Sequence, residues 1–168
     1  MRNIIHHIEN FIDWTGRTIS WLTLGMVIIT FLVVFLRYVF NTGWIALQES
    51  ISYMHALVFL IGAAYTLKHN EHVRVDIVYE KLSKRNQAWI DLIGNLIILL
   101  PVIIFIFWVS WQYVIDSWRV LESSREAGGL PGVFLLKSVI LIMSSLLILQ
   151  SFAHILKALS KILNKEES

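Results

Sequence analysis

The sequence predicts an all-α integral membrane protein with four transmembrane helices. Hydrophobic residues make up 57% of its 168 positions and charged residues only 15%, whereas soluble domains average roughly 25% charged residues. Four apolar runs, at about 18–40, 50–67, 88–116 and 133–156, are long enough to cross a bilayer. No segment rich in Pro, Gly or Ser divides the chain, so residues 1–168 are expected to form one membrane domain.

Residues 1–17 are expected to form an amphipathic helix ahead of the first span. Their apolar side chains recur on one helical face, with polar side chains largely on the other. A helix of this pattern can lie in the membrane surface, with Trp14 at headgroup depth. The apolar run that follows lacks a small-residue cleavage site, so it is predicted to stay in the protein as the first span. The apolar face consists of Ile4, Ile5, Ile8, Phe11, Ile12 and Thr15.

The connections between the spans differ in length and charge. Asn41, Thr42 and Gly43 predict a short turn after the first span. Residues 68–87 form a long basic loop, because a Lys, Arg or Asp at the centre of a membrane helix costs at least ~2.5–3.5 kcal/mol. Apolar residues at 73, 77, 79 and 82 fit either a short helix or a strand within this loop, and we favour a second surface helix. Pro101 is expected to kink the third span.

The distribution of basic residues predicts the orientation of the helices. The segment before the first span, the central loop and the tail at 157–168 carry ten Lys and Arg residues, and the opposite side carries four. The positive-inside rule therefore places both termini and the central loop in the cytoplasm. The same clustering beside apolar runs explains the pI near 9 without a nucleic-acid partner.

The centres of the four spans carry no Lys, Arg, Asp or Glu. A transporter that works alone normally has ionisable groups at mid-bilayer and broken helices, so this chain is not expected to build a transport site by itself. The polar residues within the spans are interpreted as hydrogen-bond partners between helices rather than as substrate ligands. They are Asn95, Ser110, Ser144, Ser145 and Gln150. A stand-alone exporter usually needs a buried carboxylate in its first helix, and residues 19–36 contain none. Arg37 and Glu49 lie at the periplasmic ends of consecutive antiparallel spans. They are predicted to form an ion pair within the chain or with a partner.

No enzyme motif or cofactor site is apparent in the sequence. There is no cysteine, which excludes disulfides and thiolate metal sites. Two histidines at equal depth on facing helices could bind haem b, and His69, His72 and His154 share one side of the membrane. Because His69 and His72 lie in a charged loop, they are interpreted as interfacial polar residues. A haem b anchor subunit of a respiratory oxidoreductase is kept as the alternative.

Several short motifs, in this order and spacing, resemble the small membrane subunit of TRAP transporters, the DctQ-like family. They are Arg37-Tyr38-Val39-Phe40-Asn41, Trp44, Glu49, Gly62-Ala63-Ala64-Tyr65, Glu71-His72-Val73-Arg74-Val75-Asp76, Glu122-Ser123 and Pro131. The resemblance implies a non-enzymatic subunit, without cofactors, of a sodium-driven importer of organic acids such as sialic acid or C4-dicarboxylates. It also implies the inner membrane of a bacterium as the location.

The resemblance further implies two protein partners. A large membrane subunit would carry the substrate and sodium sites, and a periplasmic binding protein would deliver the substrate. The residues expected to face these partners or the membrane lipids fall into three groups. The groups are Arg37, Tyr38, Trp44 and Glu49 near the periplasmic face, His72, Arg74 and Asp76 in the cytoplasmic loop, and Glu122, Ser123 and Arg125 where the binding protein would dock.

Overall fold

The computed structural model describes residues 2–69, 79 and 82–163, and this part of the chain contains four long helices and no strand. They are α1 (Arg2–Phe40), α2 (Ile45–Lys68), α3 (Lys84–Arg119) and α4 (Val133–Leu163). Each is long and apolar enough to cross a membrane. The predicted fold class, an all-α membrane protein with four spanning helices, is therefore confirmed.

Helix α1 is continuous from Arg2 to Phe40 and has no boundary at residue 17, where the sequence suggested the end of a separate surface helix. The helix continues through Gly16. A glycine is needed at this position because a Cβ would lie 2.8 Å from the Cβ of Tyr65 on α2. At 39 residues and ~1.5 Å per residue, the helix is about twice as long as the hydrocarbon layer is thick.

The N-terminal part of α1 is attached to the bundle through the inner half of its predicted apolar face. Ile12 is completely buried and forms a core with Ala64 of α2 and Leu146 of α4, and Ile8 packs against this core. The outer half of the face, Ile4 and Phe11, is exposed. The amphipathic pattern is thus satisfied in part by the protein's own helices.

Helix α4 is the central element of the bundle and packs against α1, α2 and α3. Helix α1 packs chiefly against α2, and α3 packs chiefly against α4. Small residues such as Ala64, Ser144 and Ala153 are buried where the helices approach each other, as is usual for membrane helices, whose association depends on close packing.

Helix α3 contains a π-helical turn, Gly94–Leu99, directly before Pro101. The backbone N–H of Leu100 bonds to the carbonyl of Asn95, five residues back. Since proline has no N–H, a carbonyl one turn earlier loses its usual partner, and a widened turn is one way to accommodate this. The kink predicted at Pro101 stays a prediction, and the observed feature is a π-helical turn on the N-terminal side of the proline.

Most of the basic loop falls outside the described residues. This applies to the second surface helix predicted from Val73 and Ile77, and to the candidate residues His72, Arg74 and Asp76.

Candidate interaction sites at the two ends of the bundle

Glu49, in the first turns of α2, holds the loop between α3 and α4. Its carboxylate accepts hydrogen bonds from the hydroxyl of Ser124 and from the backbone N–H of Leu130, the latter at 2.6 Å. Gly129 makes this contact possible, because a Cβ there would lie 2.6 Å from the Cβ of Ser124 and 2.8 Å from Oε1 of Glu49. Glu49 thus anchors residues 120–132, here called the α3–α4 loop.

Glu122 joins the same loop to the ends of α3 and α4. Its Oε2 accepts a hydrogen bond from the Ser117 hydroxyl at 2.6 Å and forms an ion pair with Lys137. The Lys137 ammonium lies 4.0 Å from the centre of the Tyr113 ring. The hydrogen bonds from Lys137 and Ser117 hold the pKa of Glu122 below its ordinary value of 4.5.

The structure does not pair Arg37 with Glu49 inside the chain. Arg37 is exposed, and no ion pair among the described residues includes it. The prediction of an ion pair between Arg37 and Glu49 within the chain is therefore wrong, because the Glu49 carboxylate binds the Ser124 hydroxyl and the Leu130 amide instead. No local pattern indicates these partners, since they lie 75 and 81 residues from Glu49. A contact between Arg37 and a partner subunit stays a prediction.

The other candidates at this end of the bundle are open to contact. Tyr38 is 84% exposed, and Trp44, Ser123 and Arg125 are exposed as well. A cavity of about 450 Å³ lies between the start of α2 and the α3–α4 loop, and Trp44 is part of its lining. The loop end, defined as residues 37–49 and 117–137, therefore combines an anchored loop with exposed aromatic and basic side chains.

Ion pairs at the opposite end tie α1 to α2 and α4. Asp13 binds Lys68 through one oxygen and His69 through the other, the latter at 3.0 Å. Glu9 pairs with Lys157. These contacts were not predicted from the sequence. A signal that could have indicated them is that Glu9 and Asp13 lie four residues apart on one helical face, where two negative charges repel each other and are stabilised by nearby basic side chains. Residues 9–17, 65–69 and 154–163 are called the terminal end below.

The contacts of His69 differ from those of a haem ligand. Its Nε2 is hydrogen-bonded to Asp13, and its ring lies 4.4 Å from that of Tyr65. His55 is exposed and lies against Phe59. Within the described part of the chain, no group of three or more His, Asp or Glu residues could hold a metal ion.

A buried polar contact joins α3 to α4 inside the membrane segment. The Ser151 hydroxyl donates a 2.6 Å hydrogen bond to the side-chain oxygen of Asn95, in the π-helical turn. Both residues are buried, so this is a structural bond between helices. It confirms the interpretation of Asn95 as a helix–helix partner rather than a substrate ligand.

The family model described as "Tripartite ATP-independent periplasmic transporters, DctQ component" matches residues 26–161. The chain belongs to the DctQ family. It is thus the small membrane subunit of a TRAP transporter, as the sequence motifs indicated. Membership of the DctQ family argues against the two alternatives, a haem b anchor subunit and a stand-alone exporter. Subunits of this family are components of transporters rather than enzymes.

A curated relative supports the same assignment over nearly the whole chain. A Haemophilus influenzae protein with the provisional name TRAP transporter small permease protein is 32% identical over 154 residues, which is 88% of this chain and 89% of the relative. No solved structure matches the chain. The family match begins at residue 26, so Glu9 and Asp13 precede the matched segment, whereas their partners Lys157, Lys68 and His69 lie within it.

Proposed function

We propose that this DctQ subunit is the scaffold of a sodium-driven TRAP importer of organic acids of the sialic acid or C4-dicarboxylate class. It packs beside the large membrane subunit, which holds the substrate and sodium sites. The complex lies in the bacterial inner membrane with both termini of this chain in the cytoplasm. The periplasmic binding protein docks transiently on the complex.

The observation that carries this proposal is the position of the charges. No Lys, Arg, Asp or Glu lies at 18–36, 50–67, 92–115 or 138–156. The ion pairs of the described residues lie at the two ends of the bundle, where they join its own helices or flank its loops. An organic anion crossing the bilayer needs a cationic or strongly polar site, and that site belongs to the partner subunit.

Helix α1 offers a surface for this partner. In its most apolar window, none of the residues is buried inside the chain. Six large side chains recur on its outer face at alternating spacings of three and four residues, which is the pattern of a helix-packing seam. All six are exposed, and we call them the α1 seam: Trp21, Leu24, Ile28, Phe31, Phe35 and Tyr38.

The loop end supports docking of the binding protein. Ser123 and Arg125 are exposed on the α3–α4 loop, and Trp44 borders the adjacent cavity. Docking would use these groups rather than Glu122, whose carboxylate already has partners within the chain. His72, Arg74 and Asp76 remain proposed contacts of the cytoplasmic loop with the large subunit or with lipid headgroups.

Co-purification tests the scaffold proposal. The tagged full-length chain is extracted from its native membrane in mild detergent, and co-eluting proteins are identified by mass spectrometry. Recovery of a much larger polytopic membrane protein in a fixed ratio is the expected result. Recovery of this chain alone from several mild detergents would contradict the proposal.

A matched pair of variants then locates the contact. Phe31 on α1 and Phe105 on α3 are 70% and 66% exposed, so truncating either costs little inside the chain. Phe31→Ala should weaken the complex roughly 5- to 30-fold, as for a central interface residue worth about 1–2 kcal/mol, while Phe105→Ala leaves it unchanged. If only Phe105→Ala weakens the complex, the interface lies on α3 rather than on α1.

A further inference from the structure

An apolar groove of about 580 Å³ opens between α1 and α2 near the terminal end. Both helices contribute small or apolar residues to its lining, among them Ile19 on α1 and Val58, Phe59 and Ala63 on α2. Its volume is in the range of small-molecule sites, which run from about 300 to 1,000 Å³. None of the ion pairs described above occupies it.

Two glycines explain why there is space at this position. At the end of the groove nearest the terminal end, the Tyr65 side chain fills the place that a Cβ of Gly16 would take, so the helices touch. About one turn along α2, Gly62 also lines the groove, and a Cβ there would meet no atom within 4 Å. The helices therefore meet at Gly16 and leave an open slot beside Gly62.

Arg17 supplies a positive charge at the mouth of this groove. It is exposed and takes part in no ion pair among the described residues, whereas Lys68 and Lys157 at the same end are paired with Asp13 and Glu9. Arg17 lies about one helical turn further into α1 than Asp13.

The depth of Arg17 corresponds to the lipid headgroups. Trp14 and Trp21, one turn before and one turn after it, are both exposed, and tryptophan is enriched at the interface between hydrocarbon and water. A guanidinium at this depth can bind a phosphate with two parallel hydrogen bonds.

We propose that the groove binds an anionic phospholipid of the leaflet on the terminal side, with one acyl chain beside Gly62 and the phosphate on Arg17. An acyl chain matches a narrow apolar slot. The exposed cation binds the phosphate of the same molecule and favours a lipid with a net negative charge over a zwitterionic one, whose headgroup also carries an ammonium. The proposal requires only that the chain spans a membrane, and it holds whichever solute the transporter carries.

Gly62→Leu is the sharpest test, because the space that its Cβ would enter holds no neighbouring atom. Leucine also has a higher helix propensity than glycine, so the variant should fold at least as well as the wild type. Gly94→Leu is the matched control, since Gly94 lies on α3 and a Cβ at that position would also meet no atom within 4 Å. Arg17→Gln removes the charge and leaves the groove open.

The full-length proteins are delipidated in mild detergent and titrated with phosphatidylglycerol or phosphatidylethanolamine while bound lipid is counted by native mass spectrometry. The wild type and Gly94→Leu should each retain one phosphatidylglycerol. Gly62→Leu should retain it at least tenfold more weakly, and Arg17→Gln should bind both lipids equally. Circular dichroism confirms that each variant is folded.

Equal retention of phosphatidylglycerol by the wild type and Gly62→Leu would overturn the proposal, as would an unchanged headgroup preference in Arg17→Gln. If Gly62→Leu instead releases a co-purifying membrane protein and leaves lipid binding unchanged, a protein partner occupies the groove and the proposal is wrong. Such a release would contradict the lipid proposal but agree with the scaffold proposal, so the two proposals fail separately.

Discussion

At the scale of single residues, Glu49 and Glu122 show why a charged side chain at a helix end is an ambiguous signal. Both were expected to face a partner, yet each carboxylate is bound within the chain, by Ser124 and the Leu130 amide or by Ser117 and Lys137. Charge reversal of Glu122 would therefore disturb the α3–α4 loop as well as any docking. Exposed Arg125 is the better probe for the binding protein.

Glu122 should make the stability of the loop end depend on pH. Because its pKa is lowered in the folded protein, its contacts stabilise the fold above the ordinary value of 4.5, and this contribution disappears as the pH falls through the lowered pKa. Glu122→Gln should therefore melt at a lower temperature than the wild type above about pH 5, and the difference should shrink below about pH 4.

Thermal melting in detergent, followed by tryptophan fluorescence, measures this difference. Trp118 is one of the seven tryptophans that contribute to this signal, and it lies at the loop end, where its indole N–H donates to the Ser138 hydroxyl at 2.8 Å and its ring packs against Phe134. A difference between the wild type and Glu122→Gln that stays constant from neutral pH to pH 3 would show that the ionised carboxylate does not stabilise the loop.

At the scale of elements, α1 departs most from the sequence-based expectation. A helix in the membrane surface would bury its apolar face in lipid, but here Ile12 packs into a core of α1, α2 and α4. The ion pairs of Glu9 and Asp13 hold the same segment against α4 and α2. The N-terminal part of α1 is therefore an integral part of the bundle.

Neighbouring positions on α1 test this packing. Ile12 is completely buried and Phe11 is 47% exposed, so Ile12→Ala should destabilise the chain by about 2–5 kcal/mol. Phe11→Ala should cost far less, although it removes more atoms. Chemical denaturation in mixed micelles measures both. Similar, small effects of the two changes would indicate a segment that lies free on the membrane surface.

At the scale of the whole molecule, the charges concentrate at the two ends and the apolar side chains face outward along the length. Much of each span remains exposed; even in α4, only 22% of the most apolar window is buried within the chain. Such a molecule leaves broad surfaces for lipid and for another membrane protein. This architecture suits a subunit that enlarges and supports a partner.

The orientation can be measured directly because the chain has no cysteine. Single cysteines at exposed Ser123 and exposed Lys161 report on the loop end and the terminal end. The positive-inside rule predicts that Ser123→Cys reacts with an impermeant maleimide in intact spheroplasts, whereas Lys161→Cys reacts only after permeabilisation. The reverse pattern would place both termini on the periplasmic side.

The sequence by itself determined the number of spanning helices and the family. Uninterrupted apolar runs are poorly solvated by water and are therefore placed in the bilayer. Short motifs such as 37–41 and 71–76 follow one another in an order and spacing that resemble the DctQ-like family. These are local properties of the chain, so they can be predicted from the sequence without its tertiary structure. The bond between Asn95 and Ser151 could be expected only as a class of contact, because the sequence names polar residues but not their partners.

Only the tertiary structure decided how the charged and small residues are used. The partners of Glu49 lie more than 70 residues away, and the burial of Ile12 depends on α2 and α4 lying beside α1. Gly16 and Gly62 are both glycines within helices. The Tyr65 side chain occupies the space beside Gly16, whereas the space beside Gly62 is part of the open groove. The difference depends on which side chains of the neighbouring helix lie opposite each glycine, which no local pattern encodes.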